Sequence, residues 1–347
     1  MSLAGGDSKR TDDDLPDRLT LAHGNGGRRM RTLIERVFAR HLANPMLDAT
    51  ADAARIDLPP GEVLVTTDGF TVQPLEFPGG NIGSLAVHGT VNDLAVSGAM
   101  PVALTLNVFI EEGFETARLD RLVASMAAAA RESGVAVAAG DVKLLRRGEG
   151  GGLYLATTGI GVRPPGLSLG IGGIRAGDVV LVSGPVGDHG TAVLLAREEF
   201  GLSGDILSDA ASVLPLAQAL LGLTGLRFMR DPTRGGLATV LHEIARATGL
   251  AVRLDEAAIP IRDPVRSVCE MLGYDPLYLA CEGRVVAVVA EPDAAAALSA
   301  WRAVPGGEQA AAIGRIESGP PDVVLATVLG GERLVEELED DPLPRIC

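Results

Sequence analysis

Three aspartates beside small or polar residues are the side chains best suited to chemistry in this chain. They are Asp68 in Thr67-Asp68-Gly69, Asp93 in Asn92-Asp93-Leu94, and Asp141 in Gly140-Asp141. Asp68 and Asp141 each follow a run that reads as a buried strand, so both can point into one cleft at the strand ends. Asp93 lies on an otherwise apolar helix, where a lone carboxylate is costly to bury unless paired or bound to metal. Hard oxygen ligands on separate elements suit Mg²⁺ bridging nucleotide phosphates. Turn and cap chemistry for Asp68 and Asp141, with a solvated face for Asp93, is the alternative these residues leave open.

A second constellation is Asp231-Pro232-Thr233-Arg234-Gly235-Gly236, leading into a helix. Free N–H groups and the helix dipole make such an end a phosphate site, and the glycines let a ligand approach. An ordinary helix start, with Asp231 as N-cap and Pro232 in the first position, is the competing reading. The glycine-rich loop His23-Gly24-Asn25-Gly26-Gly27 is of the same kind and matches neither a P-loop nor a dinucleotide fingerprint. Lys143, two residues after Asp141, and Glu282, before Gly283-Arg284, are candidates for proton transfer or charge clamping. Surface charge is the alternative for both. The chain ends in a thiol, Cys347, on a tail stiffened by Pro342 and Pro344. A thiol at the tip of such an arm can carry a group on sulfur into a pocket and out again; a frayed terminus is the alternative.

The elements that must position these groups are legible in outline. With 347 residues, two domains are expected. Hydrophobic residues make up 47% and aromatics only 3%, so the core is aliphatic. The net charge of −15 repels phosphate backbones and excludes nucleic acid as a partner; an anionic substrate needs local donors or metal ions. Three cysteines do not make a disulfide framework, and Cys269 and Cys281 read as buried and inert. The polar N-terminus has no signal-peptide core, and no apolar run is long enough for a bilayer. A soluble cytoplasmic protein is expected.

Residues 1–18 read as disordered. Helices are predicted over 29–42, 82–97, 116–133, 191–200, 210–221, 294–304 and from Gly236 to about Thr248. Strands are predicted over 63–67, 102–110, 135–139, 153–162, 178–182, 284–290 and 323–325. The flexible stretch 166–173 marks a boundary between domains over 19–165 and 166–335, with a mobile tail over 336–347. The mixture is α/β or α+β.

Together these segments resemble the superfamily of aminoimidazole ribonucleotide (AIR) synthetase, selenophosphate synthetase and thiamine-monophosphate kinase. The resemblance rests on Asp68 after a strand, Asn92-Asp93 through Gly98, Gly140-Asp141 and Asp231 to Gly236. Within it, Phe77 to Gly83, Gly187-Asp188-His189-Gly190 and the terminal Pro344-Arg345-Ile346-Cys347 are similar to the HypE family of hydrogenase maturation factors, the carbamoyl dehydratases. It runs from about Leu21 to Cys347.

The resemblance implies an N-terminal α/β domain whose sheet pairs with its twin into a dimeric β-barrel, and a C-terminal α/β sandwich domain beside it. It implies ATP and Mg²⁺ between the domains. By the same resemblance, the terminal cysteine would receive a carbamoyl group from the partner HypF, ATP would activate the carbamoyl oxygen, and elimination would leave a thiocyanate. The cyano group would then pass to iron on the HypC–HypD complex. Residue by residue, Asp68, Asp93 and Asp141 would hold Mg²⁺. Asn81, Asn92, Asp231, Thr233, Arg234, Gly235 and Gly236 would hold the nucleotide, with His23, Gly24, Gly26 and Gly27 closing over it. Lys143 and Glu282 would handle protons, and Cys347 would be the carrier. Cys281 stands where Asn is expected and Arg284 where Lys is common. Two rivals are a superfamily enzyme acting on a free small molecule, which needs no terminal thiol, and a nucleotide-sensing scaffold, which tolerates Cys347→Ser.

Overall fold

The computed structural model describes residues 15–197 and 204–339, so Cys347 and most of its tail lie outside the described residues. So do residues 1–14 of the segment expected to be disordered. Residues 15–18 are placed: Thr116 Oγ1 donates to the Pro16 carbonyl (2.6 Å), and Arg18 bridges Glu115.

The N-terminal half opens with one helical run, α1 (Arg28–Leu33), a π-helical turn (Ile34–Ala39) and α2 (Arg40–Leu42). Then follow β1 (Glu62–Phe70), a small hairpin of β2 (Glu76–Phe77) and β3 (Gly80–Asn81), and α3 (Ile82–Val96). β4 (Met100–Glu111), α4 (Thr116–Glu132), β5 (Ala136–Leu145) and β6 (Leu153–Arg163) complete it. The sheet order is β1-β6-β4-β5. Only β4 and β5 run parallel, joined by the α4 crossover that parallel neighbours require.

α3 starts where Asn81 Oδ1 accepts the N–H groups of Gly83 and Ser84. It stops at Gly98, whose φ of +77° suits glycine. Nearly every residue of α3 is buried, because it lies between its own sheet and the C-terminal half. It covers one face of the four-stranded sheet, and the other face is open: on β1, Val63 is 49% and Val65 66% exposed.

The C-terminal half holds β7 (Val179–Val182), α5 (Asp188–Ala196), α6 (Leu214–Leu220), β8 (Leu226–Arg230), α7 (Gly236–Thr248) and β9 (Ala251–Asp255). It continues with α8 (Asp263–Leu272), β10 (Val286–Val289), α9 (Ala294–Arg302), β11 (Ala311–Glu317), β12 (Val323–Ala326) and β13 (Glu332–Leu334). These strands form one sheet, ordered β13-β12-β9-β11-β7-β10-β8. Leu237, Leu241 and Ile244 of α7 pack on one face of it, and Leu216, Leu220 and Trp301 of α6 and α9 on the other. Residues of α5 and α8 join the N-terminal core instead, so apolar packing is continuous across the two halves. No helix among the described residues is long and apolar enough to cross a membrane.

Trp301 is the chain's single tryptophan and is fully buried, and its Nε1 donates to the Leu216 carbonyl (2.9 Å). Trp301→Ala is expected to lower unfolding free energy by roughly 3–5 kcal/mol, read from urea titration.

Candidate functional site

Four carboxyl groups meet where the two halves join. Asp68 of β1 is in register with Thr157 of β6, whose hydroxyl bonds that of Thr90 on α3. Asp68 therefore faces α3, and its Oδ2 lies beside Gly89. Asp93 of α3 is tied to β1 by the Thr66 hydroxyl, which donates to Oδ2 at 2.7 Å. Asp231 follows β8 and is buried, and Glu282, buried too, lies in the loop before β10.

Burial raises all four, and repulsion from neighbouring carboxylates adds to it at Asp68, Asp231 and Glu282. Burial raises the Asp68 carboxyl, with Asp93 adding repulsion and Arg234 opposing. Burial also raises Asp93, against the Thr66 hydrogen bond and Arg230. Asp231 is pushed up to about 7 by burial and then by Asp93. Glu282 is held well above the usual range by burial first, then by Asp231, Asp209, Asp68 and Asp93. A cavity of about 430 Å³ opens beside them, walled by Thr66, Asp93, Ser97, Arg230 and Asp231 among others.

The Asp231–Gly236 segment turns back on itself, with Gly236 N–H donating to the Thr233 carbonyl (2.9 Å). α7 begins at Gly236 with Gly235 as N-cap, so Asp231 does not cap the helix. Gly236 has φ +59°, and a methyl there would stand 2.6 Å from the Leu277 and Leu279 carbonyl oxygens, so only glycine fits. The thirteen-residue α7 thus presents its N-terminal N–H groups near the carboxyl cluster.

Several expected site residues have other duties. Asn81 is spent on capping α3, and its Nδ2 donates to Ser125 Oγ (2.9 Å). Asn92 is a buried strut: Nδ2 donates to the Ala211 and Glu282 carbonyls (3.0 and 3.1 Å), and Oδ1 accepts from Val213 N–H (2.8 Å). Both of its donors are used, leaving none for a nucleotide.

Asp141 and Lys143 do not join the cluster within one protomer. β5 runs on to Leu145, so Asp141 sits inside the strand. Its row across the sheet is Asn107, Ala156 and Gly69, one residue out of step with the row of Asp68, Thr157, Leu106 and Gly140. With a side-chain period of two, Asp141 and Lys143 lie on the face opposite to Asp68, three strands or about 14 Å away. There Lys143 Nζ pairs with Asp141 Oδ2 at 2.7 Å. The His23 loop is at that edge as well, since a methyl on Gly24 would meet Leu144 Cβ at 2.8 Å. His23 itself is buried, its Nδ1 within 3.1 Å of the Thr20 hydroxyl and carbonyl.

Cys281 is sealed in the C-terminal core, where Gly187 N–H donates to Sγ at 3.2 Å. Burial holds its thiol well above the usual value, so it does not compete as a nucleophile. Sequence reasoning passed over Thr66, Arg230 and Asp209, polar residues that only their tertiary neighbours single out.

The raised Asp231 carboxyl sets a pH dependence. Between the ordinary value of 3.8 and about 7, the folded protein keeps a proton that the unfolded chain has lost. Stability from this group therefore falls as pH rises through that window. Without nucleotide, Asp231→Asn is expected to unfold at higher urea than the parent at pH 8, by roughly 1–4 kcal/mol, and to lose most of that gain at pH 4.

Residues 50–163 match the N-terminal domain, and residues 175–326 the C-terminal domain, of the AIR synthase related proteins. Carbamoyl dehydratase HypE of Azotobacter vinelandii is 49% identical over 329 residues, spanning 94% of this chain and 96% of that protein. A crystal structure of hydrogenase maturation protein HypE in complex with ATP superposes with a TM-score of 0.90 at 44% identity, covering 95% of this chain and all of the other. A structure of a HypE–HypF complex superposes with a TM-score of 0.78 at 43% identity, covering 88% of this chain and 99% of that one. With its two AIR synthase related domains and a relative of this identity along nearly its whole length, the chain belongs to the HypE family of carbamoyl dehydratases.

Proposed function

We propose that the chain uses ATP to dehydrate an S-carbamoyl group carried on its own Cys347 to a thiocyanate, the source of a cyanide ligand for hydrogenase iron. The observation that carries this reading is a buried Glu282 among Asp68, Asp93 and Asp231, beside a helix start suited to phosphate, in a chain of the HypE family that carries Cys347 in a Pro344-Arg345-Ile346-Cys347 segment. The carbamoyl oxygen is a poor leaving group until phosphorylated. The C–O bond then breaks with phosphate as the leaving group, and the nitrogen gives up two protons.

Among the described residues, no group of three or more His, Cys, Asp or Glu is arranged to hold a metal alone. Two crowded carboxylates, Asp68 and Asp93, nevertheless fit Mg²⁺, which takes one or two protein carboxylates and completes its shell with phosphate oxygens and water. Bound there, Mg²⁺ would neutralise charge on the transferring phosphoryl group. Thr233, Arg234 and the N–H group of Gly235 bind and orient the phosphates, while Gly236, its own N–H spent on the Thr233 carbonyl, closes the turn that presents them. Glu282 must ionise before it accepts a proton; burial is what chiefly keeps it protonated, and neutralisation of Asp68 and Asp93 relieves part of the repulsion that adds to it. Asn92 and Asn81 hold the frame instead of the nucleotide.

A homodimer accounts for the residues that one protomer leaves apart. The open sheet face carries exposed Val63 and Val65 and the Asp141–Lys143 pair, and an apolar sheet face left uncovered is an interface in waiting. In this reading a second protomer covers that face, and Asp141, Lys143 and the His23 loop serve the partner's cleft. HypF would load the carbamoyl group, as fits the likeness to the HypE–HypF complex, and HypC–HypD would take the cyano group.

Two outcomes test this. Protein carbamoylated on Cys347 is expected to lose one water from its C-terminal peptide with Mg²⁺ and ATP, and not with Mg²⁺ alone, by mass spectrometry. A carbamoyl group left intact while ATP is consumed would overturn the reading. Co-expressed Asp141→Ala and Glu282→Gln chains, each reduced to a small residual rate alone, are expected to recover about a quarter of wild-type turnover through heterodimers with one intact composite cleft. No recovery would place Asp141 and Glu282 in the same subunit's site.

A further inference from the structure

Glu282 is gripped through its backbone by a residue that none of the chemistry above uses. Asp209 receives two consecutive N–H groups: Glu282 N–H donates to Oδ1 at 3.1 Å and Gly283 N–H to Oδ2 at 3.3 Å. Its side chain is only 1% exposed, and Arg284 Nε stands 3.4 Å from Oδ2. Arg284 is fixed in turn, with Nε donating to the Pro185 carbonyl (3.0 Å) and Nη1 to that of Gly306 (3.1 Å). It also reaches the buried Asp188 at 3.6 Å. Gly283 leaves no slack, since a methyl there would fall 1.8 Å from the Asp209 carbonyl oxygen.

The segment carrying Asp209 is anchored to the other half of the molecule. Ser208 N–H donates to the Pro78 carbonyl (2.8 Å), and Asn92 holds Ala211 and Val213 on either side of its amide. Asn92 also holds the Glu282 carbonyl, which accepts Ala211 N–H at 3.4 Å as well. The peptide of Glu282 is thus clamped on both its N–H and C=O sides by groups that report to the N-terminal half.

We propose that Asp209 is a positioning residue of the dehydration reaction: by binding the N–H groups of Glu282 and Gly283 it fixes the Glu282 carboxyl in the interdomain cleft and ties its position to the seating of the two domains. A two-oxygen acceptor is needed because both N–H groups are buried, and an unpaired buried donor is costly. Asparagine keeps the shape but offers one oxygen and turns an N–H toward the second donor. This inference rests on the Glu282 role proposed above and adds the device that makes the role possible.

The test is a double-mutant cycle read in single turnovers of Cys347-carbamoylated protein, with ATP affinity measured in parallel. Asp209→Asn and Asp209→Ser are expected to slow dehydration about 10- to 100-fold while the Kd for ATP stays within about threefold. In a Glu282→Gln background, either substitution is expected to slow the reaction no further. Losses that multiply in that background, or a fall in ATP affinity matching the fall in rate, overturn the proposal in favour of a general structural role. An impaired Glu282→Gln beside unimpaired Asp209 variants overturns it alone. A wild-type rate for Glu282→Gln overturns the Glu282 reading and this inference with it. If the Ser variant does not fold, the nearly isosteric Asn variant carries the cycle.

Discussion

The structure turns on the crowding of like charge at a domain seam. Asp68, Asp93, Asp231 and Glu282 come from β1, α3, the end of β8 and the loop before β10. Each is raised above its ordinary value by burial, and neighbouring carboxylates add to three of them. Left ionised together in low dielectric, such groups would drive the halves apart, so some hold protons and Arg230 and Arg234 offset part of the rest. A site that is uncomfortable when empty is a good receptor for cations and for arginine-bound phosphate, because binding removes a repulsion that folding had to accept. The continuous apolar packing of α5 and α8 against the N-terminal core supplies what that repulsion removes.

The second constraint is the pleat of the sheet. Because successive side chains alternate, one residue of register decides whether a group faces α3 or the open side. Asp68 and Asp141 lie on adjacent rows and so on opposite faces, and no rotamer change can unite them. Asp141, Lys143 and the His23 loop form a group at the β5 edge, separate from the group at the seam. The two groups therefore lie apart within the chain, one at the seam and one beside the open, partly apolar sheet face.

Much of this was legible in the sequence because apolar surroundings betray a polar intruder. Asp93 in an Ala/Val/Leu helix, Asp68 after Val-Leu-Val, and Glu282 between Cys281 and Gly283 are each conspicuous, and each was found. Asp141 is conspicuous too, but within the chain it does not share a sheet face with Asp68, because Gly140 reads as a strand end while β5 continues through it to Leu145. The duty of Asn92 was out of reach, since its partners lie 119 to 190 residues away. Of the strands missed, β8, β9 and β11 carry Arg227, Arg230, Arg253 and Arg315, which interrupt the apolar runs by which buried strands are recognised, and β2, β3 and β13 are only two or three residues long. α8, also missed, begins Asp263-Pro264 after a loop and has few buried residues.

The described C-terminal strap is tied to the same region of the C-terminal half. The Tyr278 hydroxyl donates to the Glu336 carbonyl (2.7 Å), and His242 Nε2 lies 2.9 Å from that of Val335. Tyr278 belongs to the same short segment, Leu277–Leu279, whose carbonyls abut Gly236 at the start of α7. Residues 335 and 336 are therefore rooted against the segment that shapes the start of α7, so the Asp231–Gly236 turn and the C-terminal strap share one support.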